Sequence, residues 1–150
     1  MKKERRIVIS RACHKKLIRW ALLSKKEIAF YACARIGQEK VSYVHRLRNR
    51  ARHPYDPRAY FFLNEREAAF IRKDLKRRGL RLVIEGHSHP YKSHPAHPSE
   101  IDVRWMGAGT RQIIVAPFAP AEKPIVSAWN IKNTLKDTLK RGRIPLIEVA

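Results

Sequence analysis

The stretch Leu80-Arg81-Leu82-Val83-Ile84-Glu85-Gly86-His87-Ser88-His89-Pro90 decides the reading of this chain. Leu80 to Ile84 is a short apolar run behind Gly79 and fits a buried strand. His87 and His89 stand two apart at its end, so strand alternation points both imidazoles to one face. A strand fixed by its neighbours can hold such a pair rigidly. Downstream, Ser99-Glu100-Ile101-Asp102 has the pattern of a helix start, with Ser99 as cap and Asp102 as a first-turn acid. Asp102 would bring a carboxylate oxygen to the two imidazoles. Two histidines and one carboxylate leave a fourth zinc position open for water, as catalytic rather than structural zinc requires. Taken alone, the His-x-His pair also reads as two polar residues at a strand end.

The rest of the chain alternates strands and helices. Arg6 to Ser10 is expected as a first strand, and Ala12 to Leu23 as a helix with Cys13, Leu17 and Ala21 on its apolar side. Glu27 to Ile36 is nearly all apolar and fits a strand buried on both faces. Val41 to Leu47 reads as a half-buried strand with Val41, Tyr43 and Leu47 on one side. After an Arg-rich loop, Tyr60 to Leu63 reads as a short aromatic strand. Asn64 and Glu67 then form a capping-box pattern for a helix that ends at Gly79. Gln112 to Ala116, Pro124 to Ile131 and Ile144 to Val149 read as closing strands. The pattern is that of one mixed α/β domain spanning 1–150.

Composition narrows the class. The 33 Lys+Arg against 13 Asp+Glu leave a net charge of +20, which fits an acidic partner, a nucleic acid, or an organism with basic proteins in general, and does not identify a reaction. The hydrophobic share of 44% is enough for a core and argues against a disordered basic tail. No apolar run approaches the roughly 20 residues of a membrane span, and Ile7-Val8-Ile9 is too short for a signal peptide. The two cysteines, Cys13 and Cys33, lie among apolar residues and read as buried thiols in a reducing, cytoplasmic setting.

His87-Ser88-His89-Pro90 followed by Ser99-x-x-Asp102 resembles the signature of the JAMM/MPN+ zinc metallopeptidases. That resemblance spans roughly Arg6 to Val149 and implies a curved mixed sheet flanked by helices, the MPN/JAB-like fold. It implies one zinc ion per chain, bound by His87, His89 and Asp102. It implies Glu27 as the general base and Ser99 as a hydrogen-bond donor to the developing oxyanion. Ser88 and Pro90 are expected to shape the turn. The Pro90–Pro98 loop is longer than usual for the family, and Phe30 replaces a glycine often found there. Glu85 is the rival to Glu27, since alternation would place it on the histidines' face. His94 and His97 lie in the longer loop, where solvated histidines are the plain reading.

The implied activity is hydrolysis of isopeptide or peptide bonds at the C-terminal tail of a ubiquitin-like or sulfur-carrier protein. The clusters Arg46–Arg52 and Lys73–Arg78 could dock an acidic protein or track phosphates. Two alternatives therefore stand beside the hydrolase: a nucleic-acid-associated protein of RadC type, and a zinc-binding scaffold without turnover.

Overall fold

The computed structural model describes residues 6–48, 64–90, 96–117 and 125–150. The expected strand Tyr60–Leu63, together with His94 and residues 49–52 of the Arg46–Arg52 cluster, lies outside the described residues. Strand β1 (Ile7–Ser10) leads straight into α1 (Arg11–Leu23), because the Ser10 hydroxyl accepts from Cys13 N at 3.1 Å and caps the helix. Then come β2 (Ala29–Arg35), β3 (Tyr43–Leu47), α2 (Glu65–Arg77) and β4 (Leu80–Ser88). They are followed by α3 (Glu100–Met106), β5 (Arg111–Ala116), β6 (Ile125–Asn130), α4 (Leu135–Arg141), β7 (Arg143–Ile144) and β8 (Leu146–Val149).

Six strands form one mixed sheet in the order β3-β2-β4-β5-β6-β7, and β1 pairs with β8 in a separate parallel pair. Among the described residues of the larger sheet, only β4 and β5 run parallel. A parallel pair needs a crossover, and α3 lies on it. The crossover carries the start of α3 to the C-terminal end of β4, the end where the histidines stand.

The sheet is buried on both faces, which is why β2 reads as a continuous apolar run. On one face Phe30, Ala32, Ile84, Ile113, Val115 and Ala128 pack with Cys13, Leu17 and Ala21 of α1. On the other, Ala29, Tyr31, Cys33 and Leu47 pack with Leu75 of α2. Gly86 is needed where the strands cross. A Cβ there would lie 2.2 Å from the Phe30 ring and 2.7 Å from the Ile113 carbonyl oxygen. The Phe30 ring therefore fills the space its cross-strand partner Gly86 leaves.

Several boundaries differ from expectation. Strand β4 continues through Ser88 because β2 and β5 pair with it along that length. Val41 does not share a face with Tyr43. It bridges to Ile9 and joins the α1-side core, while Tyr43 and Leu47 join the other. The single closing strand Ile144–Val149 is two strands, β7 and β8, which serve different sheets on either side of Pro145. Helix α4 was not expected, although Thr134 caps it by accepting from Asp137 N at 3.1 Å.

Candidate metal centre

Four side chains read from the sequence converge at the C-terminal end of β4. Glu27, His87, His89 and Asp102 are all buried, with His87 fully so. The Nε2 atoms of His87 and His89 lie 3.2 Å apart. His87 Nε2 lies 3.2 Å from Asp102 Oδ1, and His89 Nε2 lies 3.2 Å from Asp102 Oδ2. Glu27, His87 and His89 each offer a ligand atom, and these atoms lie within 4.8 Å of one another.

The donor set fits a small divalent cation. Nitrogen and oxygen ligands sit about 2.0–2.1 Å from zinc, and the edge of that tetrahedron is about 3.3 Å. The spacing among His87, His89 and Asp102 is close to that edge. The electrostatics agree. Burial alone would push the Asp102 carboxyl up, but the charge and hydrogen bonds of His87, with those of His89, hold it well below the ordinary carboxylate range. Burial likewise opposes a charge on His87, yet Asp102 outweighs it and raises that imidazole above its ordinary value. The pocket favours positive charge at the point where these atoms meet.

Each side chain is held by something identifiable. Ser99 and Asp102 form a reciprocal capping box at the start of α3: Asp102 N donates to Ser99 Oγ at 3.1 Å, and Ser99 N donates to Asp102 Oδ2 at 2.8 Å. The cap thus aims the carboxylate at the histidines. Glu27 stands beside them because the next residue, Ile28, is bonded to Ser88. Ile28 N donates to Ser88 Oγ at 2.9 Å, and Ser88 N donates to Ile28 O at 3.0 Å. Ser88 shapes the backbone, as expected of it. Burial pushes the Glu27 carboxyl up to about 8, with nearby His87 lowering it and Asp102 raising it.

Glu85, the rival acid, pairs across the strands with Tyr31 and Gln112 rather than joining the cluster. Its carboxyl is raised by burial and lowered by Arg72 and Gln112. His97 is engaged in the loop: its Nδ1 lies 2.9 Å from Pro98 O and its ring meets Trp129 edge-on at 6.5 Å. Trp129 Nε1 donates to Ala96 O at 3.0 Å, and the Ser127 hydroxyl donates to the same carbonyl. This grip fixes the chain just before Ser99.

Gln112 was missed in the sequence. It is buried, and its Oε1 lies 3.3 Å from His87 Nδ1. Accepting a hydrogen bond from His87 Nδ1–H there leaves the Nε2 lone pair turned to the centre. The only available signal was its place at the head of β5, beside the strand that carries the histidines.

No protein-family model matches the sequence, and no curated protein matches it. Solved structures do share the fold. Protein DSY2949 from Desulfitobacterium hafniense superposes with a TM-score of 0.73 at 22% identity, covering 95% of this chain and 92% of that one. A protein from Salinibacter ruber gives 0.57 at 19% identity over 94% and 90%. AF2198, a JAB1/MPN domain protein from Archaeoglobus fulgidus, gives 0.55 at 18% identity over 96% and 98%. The chain therefore has an α/β fold with a mixed sheet and an MPN/JAB-fold neighbour, and it carries a cluster able to hold a metal ion. No helix among the described residues is long and apolar enough to cross a membrane.

Proposed function

We propose that this protein is a zinc-dependent hydrolase of peptide or isopeptide bonds, of the JAMM/MPN+ kind. The observation that carries the reading is the 3.2 Å approach of His87 Nε2 to His89 Nε2 and of each to its own Asp102 carboxylate oxygen, Oδ1 and Oδ2 respectively, with Glu27 beside them. The JAB1/MPN fold of AF2198 supports it.

In this reading His87, His89 and Asp102 hold the ion. Bound zinc would polarise the scissile carbonyl and lower the pKa of a water to about 7. Glu27 is the proton carrier. Its carboxyl, pushed up to about 8, titrates lower beside a cation, in the range where one group can take a proton and return it to the leaving amine. The Ser99 Oγ accepts from Asp102 N within the cap, which leaves its hydroxyl proton for an oxyanion.

The substrate in this reading is the C-terminal tail of a ubiquitin-like or sulfur-carrier protein. Such a tail is extended, and β3 is an edge of the six-stranded sheet among the described residues. Its Leu47 end lies across Ala29 from His87.

The test combines metal analysis with hydrolysis. Protein expressed with zinc should contain about one ion per chain and cleave a ubiquitin-fold protein extended at its C-terminus through an amide. Glu27→Gln should keep the ion and lose the cleavage. Absence of metal in the wild type would end the proposal. Metal without turnover would favour the scaffold alternative.

A further inference from the structure

Helix α1 is the one helix among the four described that carries no acidic residue. Its exposed positions include Arg11, Lys15, Lys16 and Arg19, and the chain continues past it through exposed Lys25 and Lys26. At about 100° per residue, the exposed positions Arg11, Leu22, Lys15, Arg19, Ala12, Leu23 and Lys16 fall within an arc of about 140° centred on Lys15 and Arg19. The buried Cys13, Leu17 and Ala21 lie opposite.

The fold makes little use of these charges. Arg11 faces Glu148 at 3.5 Å, and Lys16 lies 5.4 Å from the centre of the Trp20 ring. Lys15, Arg19, Lys25 and Lys26 have no ion-pair partner among the described residues. The helix dipole would favour acids, not Arg11 and Lys15, in the N-terminal half. Helix α2 differs. Its cations are interleaved with Glu65, Glu67 and Asp74. Arg72 donates to the Tyr31 hydroxyl at 3.0 Å, and Arg78 stacks over Tyr43 and faces Asp74. The Lys73–Arg78 cluster, prominent in the sequence, is therefore partly spent on the fold, whereas the α1 face is open.

We propose that the outer face of α1, with Lys25 and Lys26, is a docking surface for the phosphate backbone of double-stranded nucleic acid. The charge density decides among polyanions. From Arg11 to Arg19 the helix rises about 12 Å. A duplex presents about seven phosphates over that length. An anionic membrane fits less well, because the apolar side of α1 is consumed in the core and its large exposed apolar residues are Leu22 and Leu23, both at its end. Lysine and arginine contacts to phosphate read no sequence, so binding is sequence-independent. This surface stands on the sheet face opposite α2 and does not rest on the hydrolase reading.

The experiment is fluorescence anisotropy of the full chain with a labelled duplex about two helical turns long, between about 50 and 200 mM salt. Five phosphate contacts, from Lys15, Lys16, Arg19, Lys25 and Lys26, predict a loss of affinity of about 500-fold over that range. With Lys15, Lys16 and Arg19 all changed to Ala, two contacts remain and the loss shrinks to about 12-fold. The matched change of Lys73, Lys76 and Arg77 to Ala on α2 should leave the salt dependence unchanged, and neither triple variant should alter metal content. A duplex of scrambled sequence should bind equally. Three results would overturn the proposal: no binding at the lower salt, equal damage from both triple variants, or equal binding to poly-glutamate or to phosphatidylserine vesicles.

Discussion

Ser88 and Ile28 are joined twice, by a backbone bond from Ser88 N to Ile28 O at 3.0 Å and by a bond from Ile28 N to the Ser88 hydroxyl at 2.9 Å. The first extends the sheet, and the second needs a side-chain oxygen between the two histidines. Together they fix the segment carrying Glu27 against the strand carrying His87 and His89, 60 residues away. The serine between the histidines is thus the link between the acid and the candidate metal ligands.

Ser88→Ala leaves the buried Ile28 N–H without its acceptor. A loss of about 1–3 kcal/mol in stability is expected, measured by denaturant unfolding. Hydrolysis should fall further than zinc affinity, because the displaced group is Glu27 and not a histidine. Equal loss of both would place Ser88 elsewhere in the scheme.

Gln112→Leu keeps the bulk but removes the acceptor for His87 Nδ1. Zinc affinity should drop by about 10–100-fold, read by competition with a coloured chelator, while the far-UV circular dichroism stays unchanged. Unaltered affinity would show that another group fixes the imidazole.

The pH dependence of metal-free protein has a definite sign. The Glu27 carboxyl rises from 4.5 to about 8 on folding. A raised folded-state pKa gives stability that is full below 4.5 and lost as pH climbs to about 8. His87 is raised too and acts in the same direction. Glu27→Gln has no such proton to lose. Thermal unfolding in chelator should therefore show the variant gaining on the wild type as pH rises across that window. A constant difference would contradict the burial of this carboxyl.

Gly86→Ala drives a methyl into the Phe30 ring and the Ile113 carbonyl. A cost of about 1–3 kcal/mol is expected from the overpacking. Combining it with Phe30→Ala should cost less than the sum of the two single changes, because the ring no longer collides. Strict additivity would mean that the strands move apart instead.

Much of this centre was legible in the sequence, and the illegible parts have physical reasons. His87, His89, Ser99 and Asp102 could be read because alternation along β4 and the capping box at α3 are local patterns. Glu27 could not be chosen over Glu85 from alternation, since both acids lie on strand-like segments. What separates them is pairing across the sheet, which sets Glu85 beside Tyr31 and Gln112. Gln112 left no periodic mark, because one polar residue in a buried strand looks the same whether it holds a ligand or fills space. The length of β4 was underestimated because Glu85, Gly86 and His87 interrupt an apolar run that the neighbouring strands nevertheless continue. Helix α4 was overlooked although Thr134 and Asp137 offered a start signal, because its seven residues are mostly polar. Sequence density points to Arg46–Arg52 and Lys73–Arg78 as the basic surfaces for an acidic protein or for phosphates. Only the fold shows that Lys15 and Arg19 of α1 have no ion-pair partner among the described residues.

The grip of Trp129 and Ser127 on the Ala96 carbonyl has a bearing on how such chains can vary. It acts as a fixed post one short step ahead of Ser99, built on β6 rather than on the loop itself. Residues inserted between Pro90 and that post change the path into it but not the exit. Extra length between Pro90 and Ala96 can therefore be carried without shifting Asp102, and further insertions at the same spot should be tolerated while a deletion of the post would not.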